Sequence, residues 1–185
     1  MITLICGPMF SGKSTELIRQ LERKHIAGKK VLYIRPNKDS RDFVARGYKG
    51  DLKKLASLEY VNDFSKNHDK LVEWISEYDA IFVDEYFMIE NCDLLCKVLP
   101  EEDHKCDIYF GGLLATAENV TWPEAVKILP YCDEIIKLNA VCTNCGSEHG
   151  NYSLFKGKKK EALVIGDNTY MAVCRKCYGL LKGHL

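Results

Sequence analysis

The residues Gly7-Pro8-Met9-Phe10-Ser11-Gly12-Lys13-Ser14 follow directly on an apolar run, Ile2-Thr3-Leu4-Ile5-Cys6. They match the spacing G-x-x-x-x-G-K-[ST], in which glycines let successive backbone N–H groups curl around a phosphate. Such a loop works between a buried strand and the start of a helix, whose unpaired N–H groups and dipole favour an anion. It therefore constrains the fold as well as the ligand. Both flanks agree with that context. Residues 2–6 predict a short buried strand, while Leu17, Ile18 and Leu21 mark one face of a helix over 14–27 that Gly28 is placed to end. The segment from Gly7 to Thr15 is expected to grip a nucleoside triphosphate, with Lys13 as a charge on the outer phosphates and Ser14 as a hydroxyl ligand for Mg²⁺.

Further strand-like runs occur at 31–34, 80–83, 107–110 and 134–138, with helix-like stretches at 65–77, 89–98 and 122–129. Alternation of this kind predicts βαβ units: an α/β fold of the P-loop type, with a parallel sheet and helices on both faces. Residues 36–56 lack a sustained period and predict a long loop of the kind that is often functional. The pattern changes near Asn139. Cysteine pairs, glycines, a basic run and short strand-like pieces at 162–165 and 169–173 predict a small second lobe. The expected division is 1–138 for the P-loop domain and 139–185 for the lobe.

Ala80-Ile81-Phe82-Val83 ends in Asp84-Glu85. An acid at a strand end near the phosphates holds Mg²⁺ in P-loop proteins. Neighbours on a strand point to opposite sides, so the two acids are expected to divide the work. Asp84 is assigned to Mg²⁺ and Glu85 to the general base.

Cys142-Thr-Asn-Cys145 and Cys174-Arg-Lys-Cys177 are two C-x-x-C pairs. Nine cysteines at random spacing give about 0.4 such pairs, so two in one segment favour a structural Cys₄ zinc site. Buried apolar cysteines or a redox pair are the competing readings, and His149 is an alternative ligand. The other five cysteines, including Cys92 and Cys96 four apart, are expected to fill the core.

The chain has 185 residues, 46% of them hydrophobic, enough for one domain plus an appendage. Lys and Arg number 26 and so do Asp and Glu, so the basic excess of a nucleic-acid partner is absent. No apolar stretch reaches the length of a bilayer span, and the start carries no leader-like pattern, which predicts a soluble, cytoplasmic protein without a membrane partner. Disulfides do not persist in that compartment. The run Lys156-Gly157-Lys158-Lys159-Lys160 is expected to be a solvated loop tip, and Trp74 with Tyr78 a helix face.

Together, an early P-loop, an Asp-Glu strand end and a C-terminal cysteine lobe resemble the type II thymidine kinase family. The resemblance spans nearly the whole chain. Gly7 to Leu17 is similar to that family's opening, Asp39-Ser40-Arg41 to its Asp-Thr-Arg element, and Lys137 to Cys142 to its entry into the zinc lobe. Val164-Ile165-Gly166, with Tyr170 and Cys174 after it, looks like the family's lasso over the nucleoside. The resemblance implies phosphoryl transfer from Mg-ATP to the 5′-hydroxyl of thymidine or a related deoxynucleoside, with Glu85 accepting the proton. It also implies a cytosolic homotetramer. The nucleoside would meet Met9, Arg41, Met88, Leu113, Trp122, Val164, Ile165, Gly166, Asp167, Asn168 and Tyr170. The sequence departs from the family around that pocket. Tyr86-Phe87-Met88-Ile89 follows the two acids, Leu113-Leu114-Ala115-Thr116-Ala117 replaces a segment ending in Phe, and Thr121-Trp122-Pro123 replaces a proline-aromatic pair. Met88 and Ala117 thus stand where the family has phenylalanines, and Trp122 is the residue that would refill the volume. A changed nucleoside preference, or a nucleotide-binding regulator that has lost the acceptor, is the alternative.

Overall fold

Five of the expected strands form, at Ile2–Cys6 (β1), Val31–Arg35 (β2), Ala80–Asp84 (β4), Asp107–Gly112 (β5) and Glu134–Lys137 (β6). They are seen in a computed structural model that describes residues 1–37, 48–99, 105–157 and 169–182. A further strand, Ser57–Tyr60 (β3), pairs with β2 at the sheet edge. Its alternation of polar and apolar residues, Ser57-Leu58-Glu59-Tyr60, gives no continuous apolar run, because an edge strand need not be buried on both faces. Among the described residues, these six strands form a sheet in the order β3-β2-β4-β5-β1-β6, and every neighbouring pair runs parallel.

Period-two alternation sorts the strand residues between two apolar layers. Ile2, Leu4, Cys6, Ile81, Val83, Ile108 and Phe110 pack with Leu71, Trp74, Leu95, Ala125 and Ile128 from the helices His68–Glu77 (α2), Asp93–Lys97 (α3) and Pro123–Ile128 (α4). On the opposite face Ile5, Tyr33, Phe82 and Tyr109 meet Leu17 and Leu21 of the helix Lys13–Ile26 (α1). Helices therefore cover both faces. Close approach is achieved at the end of β5. A Cβ on Gly111 would lie 2.9 Å from Leu17 Cδ2, and one on Gly112 2.9 Å from Tyr86 Cδ1. Glycine here lets α1 and the residues after β4 close down on the sheet.

Several helices differ from expectation. The stretch 65–77 divides into a 3₁₀ turn, Phe64–Asn67, followed by α2. The expected helix over 89–98 shrinks to α3, because Ile89 is extended and Asn91 takes φ 58°. Ile89 and Cys92 pack into the core from the turn before α3, and Leu95 and Cys96 from α3 itself. Helix α4 starts with Pro123 in its first turn, where a missing N–H costs nothing. Of the loop expected over 36–56, residues 38–47 lie outside the described residues and Leu52–Lys54 forms a 3₁₀ turn.

Beyond β6, Tyr152–Phe155 (β7) and Tyr170–Val173 (β8) form an antiparallel pair, and Arg175–Leu181 is a helix (α5). The expected strand at 162–165 lies outside the described residues. Cys142, Leu154, Val173, Cys177 and Tyr178 make a small apolar cluster of their own. Elsewhere Cys6, Cys92, Cys96 and Cys106 are buried in or beside the main core. Burial pushes the Cys96 and Cys106 thiols up to about 12, so they behave as apolar filler. No helix among the described residues is long and apolar enough to cross a membrane.

Asp107, the first residue of β5, ties the sheet to α1 through Lys24. Burial opposes ionisation of this carboxyl, but the Lys24 ammonium and the Met1 amino group hydrogen-bond it, and its pKa is lowered. A folded pKa below the unfolded value of about 3.9 contributes stability above that value and loses it as pH falls through the folded pKa. Asp107→Asn is therefore expected to lower the denaturation midpoint at pH 7, with the gap to the parent protein closing below about pH 4. A gap that stays constant from neutral to acid pH would show that charge is not its source.

Candidate active site

The phosphate loop leaves β1 at Cys6 and enters α1 at Lys13. Gly7 has φ 157°, and a Cβ there would meet the Leu138 carbonyl oxygen at 2.4 Å. That obstacle is backbone, so only glycine fits. Ser11 Oγ donates to the Pro8 carbonyl at 2.9 Å, and Lys13 Nζ donates to the same oxygen at 2.6 Å. Gly12 caps α1 without a side chain, which leaves the first N–H groups and the positive helix end open to an anion. Lys13 is buried beside them and Thr15 is exposed on the first turn.

The end of β4 supplies the acid. Asp84 is 1% exposed. Its Oδ2 accepts from the Tyr33 hydroxyl at 2.9 Å, and its Oδ1 from the Glu85 N–H at 3.1 Å and from Ser14 Oγ at 3.5 Å. Burial and then the Asp84 carboxylate drive the Tyr33 phenol far above its ordinary pKa, so it remains a donor. Ser14 and Asp84 thus present oxygen ligands of the kind that suits a hard divalent cation. Glu85 corrects the expectation of two strand neighbours facing opposite ways. Only Asp84 belongs to β4; Glu85 has φ 50° and ψ 43°, a left-handed conformation that turns the chain into the 3₁₀ turn Tyr86–Met88. Strand alternation therefore does not set the direction of its side chain.

The same turn faces the end of β5. Tyr86 donates its hydroxyl to the Leu113 carbonyl at 2.8 Å, and Phe87 lies against Trp122 with ring centroids 5.0 Å apart. Met88, Leu113 and Trp122 are all half-buried against the main core. The indole Nε1 of Trp122 is buried and has no hydrogen-bond partner among the described residues. Met9 donates its N–H to Ser153 Oγ at 2.9 Å, and Phe10 is exposed with φ 65°. Tyr170 packs on Phe155 within the small sheet, with centroids 5.3 Å apart. Arg41 and residues 164–168 lie outside the described residues. Sequence reasoning missed Tyr33 and Ser153. A tyrosine inside a buried strand signals that its hydroxyl has a partner; a lone serine in a four-residue strand carries no such signal.

The Sγ atoms of Cys142, Cys145, Cys174 and Cys177 all lie within 4.8 Å of one another and could hold a metal ion. Cys145 Sγ and Cys174 Sγ are 3.8 Å apart. Four sulfurs at about 2.3 Å around zinc would form a tetrahedron with edges of about 3.8 Å, so the spacing fits. Burial raises the Cys142 thiol, yet N–H groups of Cys174, Cys145 and Asn144 outweigh it and draw the pKa down to about 6. Asn144 Nδ2 donates to Cys177 Sγ at 3.2 Å. His149 is not among the clustered ligands of the described residues.

A family model described as thymidine kinase matches residues 1–178. The chain belongs to the thymidine kinase family. A thymidine kinase of Monkeypox virus is 34% identical over 178 residues, covering 96% of each chain. One from Acanthamoeba polyphaga mimivirus is 32% identical over 188 residues, covering 98% of this chain and 83% of its own. A bacterial relative of the same name, from Pseudothermotoga lettingae, is 32% identical over 180 residues, with 96% and 94% covered. The matched residues include the phosphate loop, the end of β4 and all four clustered cysteines. The family assignment and the site geometry therefore concern the same atoms.

Because Tyr33 hydrogen-bonds a buried carboxylate, Tyr33→Phe is expected to destabilise the fold by about 1.5–3 kcal/mol. Chemical denaturation at neutral pH measures this, and a change within experimental error would remove the bond from any part in holding Asp84.

Proposed function

We propose that this protein transfers the γ-phosphoryl group of ATP to the 5′-hydroxyl of thymidine or a closely related deoxynucleoside. The observation that carries the proposal is the approach of Ser14 Oγ to Asp84 at 3.5 Å, with Lys13 buried on one side and Glu85 next in the chain on the other. In this reading the residues from Gly7 to Thr15 bind the triphosphate, and Lys13 neutralises its outer oxygens. Ser14 and Asp84 hold Mg²⁺, which when bound would offset charge on the phosphates. Glu85 accepts the proton of the 5′-hydroxyl as that oxygen bonds to phosphorus and the bond to the ADP oxygen breaks. Met9, Arg41, Met88, Leu113, Trp122, Val164 to Asn168 and Tyr170 form the nucleoside side.

The same proposal gives Cys142, Cys145, Cys174 and Cys177 a resident structural Zn²⁺. Four thiolates suit that ion, and the sulfur spacing supports it. Residues 1–138 act as the kinase domain and 139–185 as the zinc lobe, and a cytosolic homotetramer is the form expected from family membership. A changed base preference is the favoured variation, since Met88, Ala117 and Trp122 alter the acceptor side while the donor side retains its motif.

Incubation with labelled Mg-ATP and a panel of deoxynucleosides should yield monophosphate, with thymidine among the acceptors. ATP binding without phosphorylation of any nucleoside would favour a regulatory relative instead. Glu85→Gln should keep ATP affinity and lose turnover by about 10²–10⁴-fold, the usual contribution of a general base; unchanged turnover would remove Glu85 from that role. Metal analysis should find about one zinc per chain, and Cys142→Ser should lower both zinc content and melting temperature. Full zinc content in that variant would place the metal elsewhere.

A further inference from the structure

Among the described residues, two separate hydrogen bonds join the small sheet and α5 to the rest of the site. The first joins Met9 N–H to Ser153 Oγ at 2.9 Å, across 144 residues of sequence. Ser153 is buried on β7, and opposite it on β8 stands Ala172, two residues before Cys174. Met9 immediately precedes Phe10, whose φ of 65° is left-handed for a residue with a large side chain. Backbone of that kind costs about 1–3 kcal/mol and persists only when its surroundings fix it. Here both sides are fixed. Ser153 holds the amide of Met9, and Ser11 Oγ returns to the Pro8 carbonyl. The Met9 N–H is thereby withdrawn from phosphate binding, and the following amides are set in direction.

The second bond runs from the Tyr178 hydroxyl to the Ala117 carbonyl at 2.9 Å. Tyr178 follows Cys177 in α5, and its own N–H donates to the Cys174 carbonyl at 2.8 Å. Ala117 belongs to a tight turn closed by Thr116 N–H to Val120 O at 2.8 Å and Trp122 N–H to Leu114 O at 2.9 Å. The flanks of that turn are Leu113 and Trp122. The two contacts lie in one packed unit, in which Tyr178 stacks on Tyr152, the neighbour of Ser153, with centroids 4.6 Å apart and planes 21° from parallel.

We propose that Ser153 and Tyr178 are positioning residues through which the four-cysteine segment sets the two substrate sites separately. Ser153 orders the phosphate loop for the nucleoside triphosphate, and Tyr178 orders the turn bearing Leu113 and Trp122 for the acceptor nucleoside. The acceptor half rests on the kinase reading above; the donor half requires only that the loop binds a triphosphate. Neither side chain reacts. Each acts through a hydrogen bond to main chain, so its loss should appear in substrate affinity rather than in the chemical step.

The test uses the full-length, zinc-loaded protein and three variants, Ser153→Ala, Ser153→Thr and Tyr178→Phe, each first matched for zinc content. Calorimetric titration with a non-hydrolysable ATP analogue reads the donor site without any acceptor. Ser153→Ala should weaken analogue binding by about fivefold, the usual consequence of losing one hydrogen bond, and Ser153→Thr should restore it. Tyr178→Phe should leave analogue binding within about twofold of the parent but raise the nucleoside KM by about fivefold, with kcat little changed. Should Ser153→Ala not fold, Ser153→Cys, with a weaker acceptor in the same volume, takes its place. Equal shifts in both substrates for each variant, or a lower melting temperature with both affinities intact, would overturn the proposal in favour of a purely structural role. Absence of product with every nucleoside would instead count against the kinase reading and leave the donor arm readable.

Discussion

A carboxylate that is 1% exposed must have its lone pairs occupied, and the way Asp84 meets that need organises the site around it. Tyr33 reaches it from β2, the neighbouring strand, and the Glu85 N–H reaches it from the next peptide. Ser14 approaches from the first turn of α1. Close by, Gly111 of β5 is in register with both Ile5 and Asp84, and a Cβ there would lie 2.9 Å from Leu17 Cδ2 and make that side chain shift. Strand order and a buried tyrosine together decide where a hydroxyl and a carboxylate can meet.

The same economy holds at the other end of the loop. Gly7 lies against the Leu138 carbonyl, and Met9 against Ser153, so the phosphate loop is braced by the chain that leads into the cysteine segment and by that segment itself. The segment has a core of five buried residues, two of them from the four-cysteine cluster that could hold a metal ion. Metal binding in such a cluster would add on the order of 10 kcal/mol of folding free energy to that small core. Order in the cysteine segment reaches the loop through the Met9–Ser153 hydrogen bond.

Much of this was legible in the chain. The loop spacing, the apolar runs of β1, β2, β4, β5 and β6, and the paired cysteines are local patterns, and local patterns survive without knowledge of the fold. β3 escaped because an edge strand with Ser57 and Glu59 has no apolar run. The helix expected over 89–98 was overestimated because Ile89 and Cys92 pack from a turn at Asn91, which leaves only Leu95 and Cys96 as buried residues of the short α3. Glu85 was placed on a strand it has already left, since a left-handed conformation at a non-glycine residue is imposed by packing and not by its own preference.

By itself the sequence determined which chemical groups are present and which of them are neighbours: a lysine and a serine after glycines, two acids after a strand, two pairs of thiols. Those follow from spacing along the chain, where a few residues fix the geometry. Only the tertiary structure decided which distant groups meet, such as Tyr33 with Asp84, Met9 with Ser153 and Ala117 with Tyr178. A hydroxyl can find a partner anywhere the fold brings one, so its choice is fixed by strand order and helix approach and leaves no mark in the local pattern.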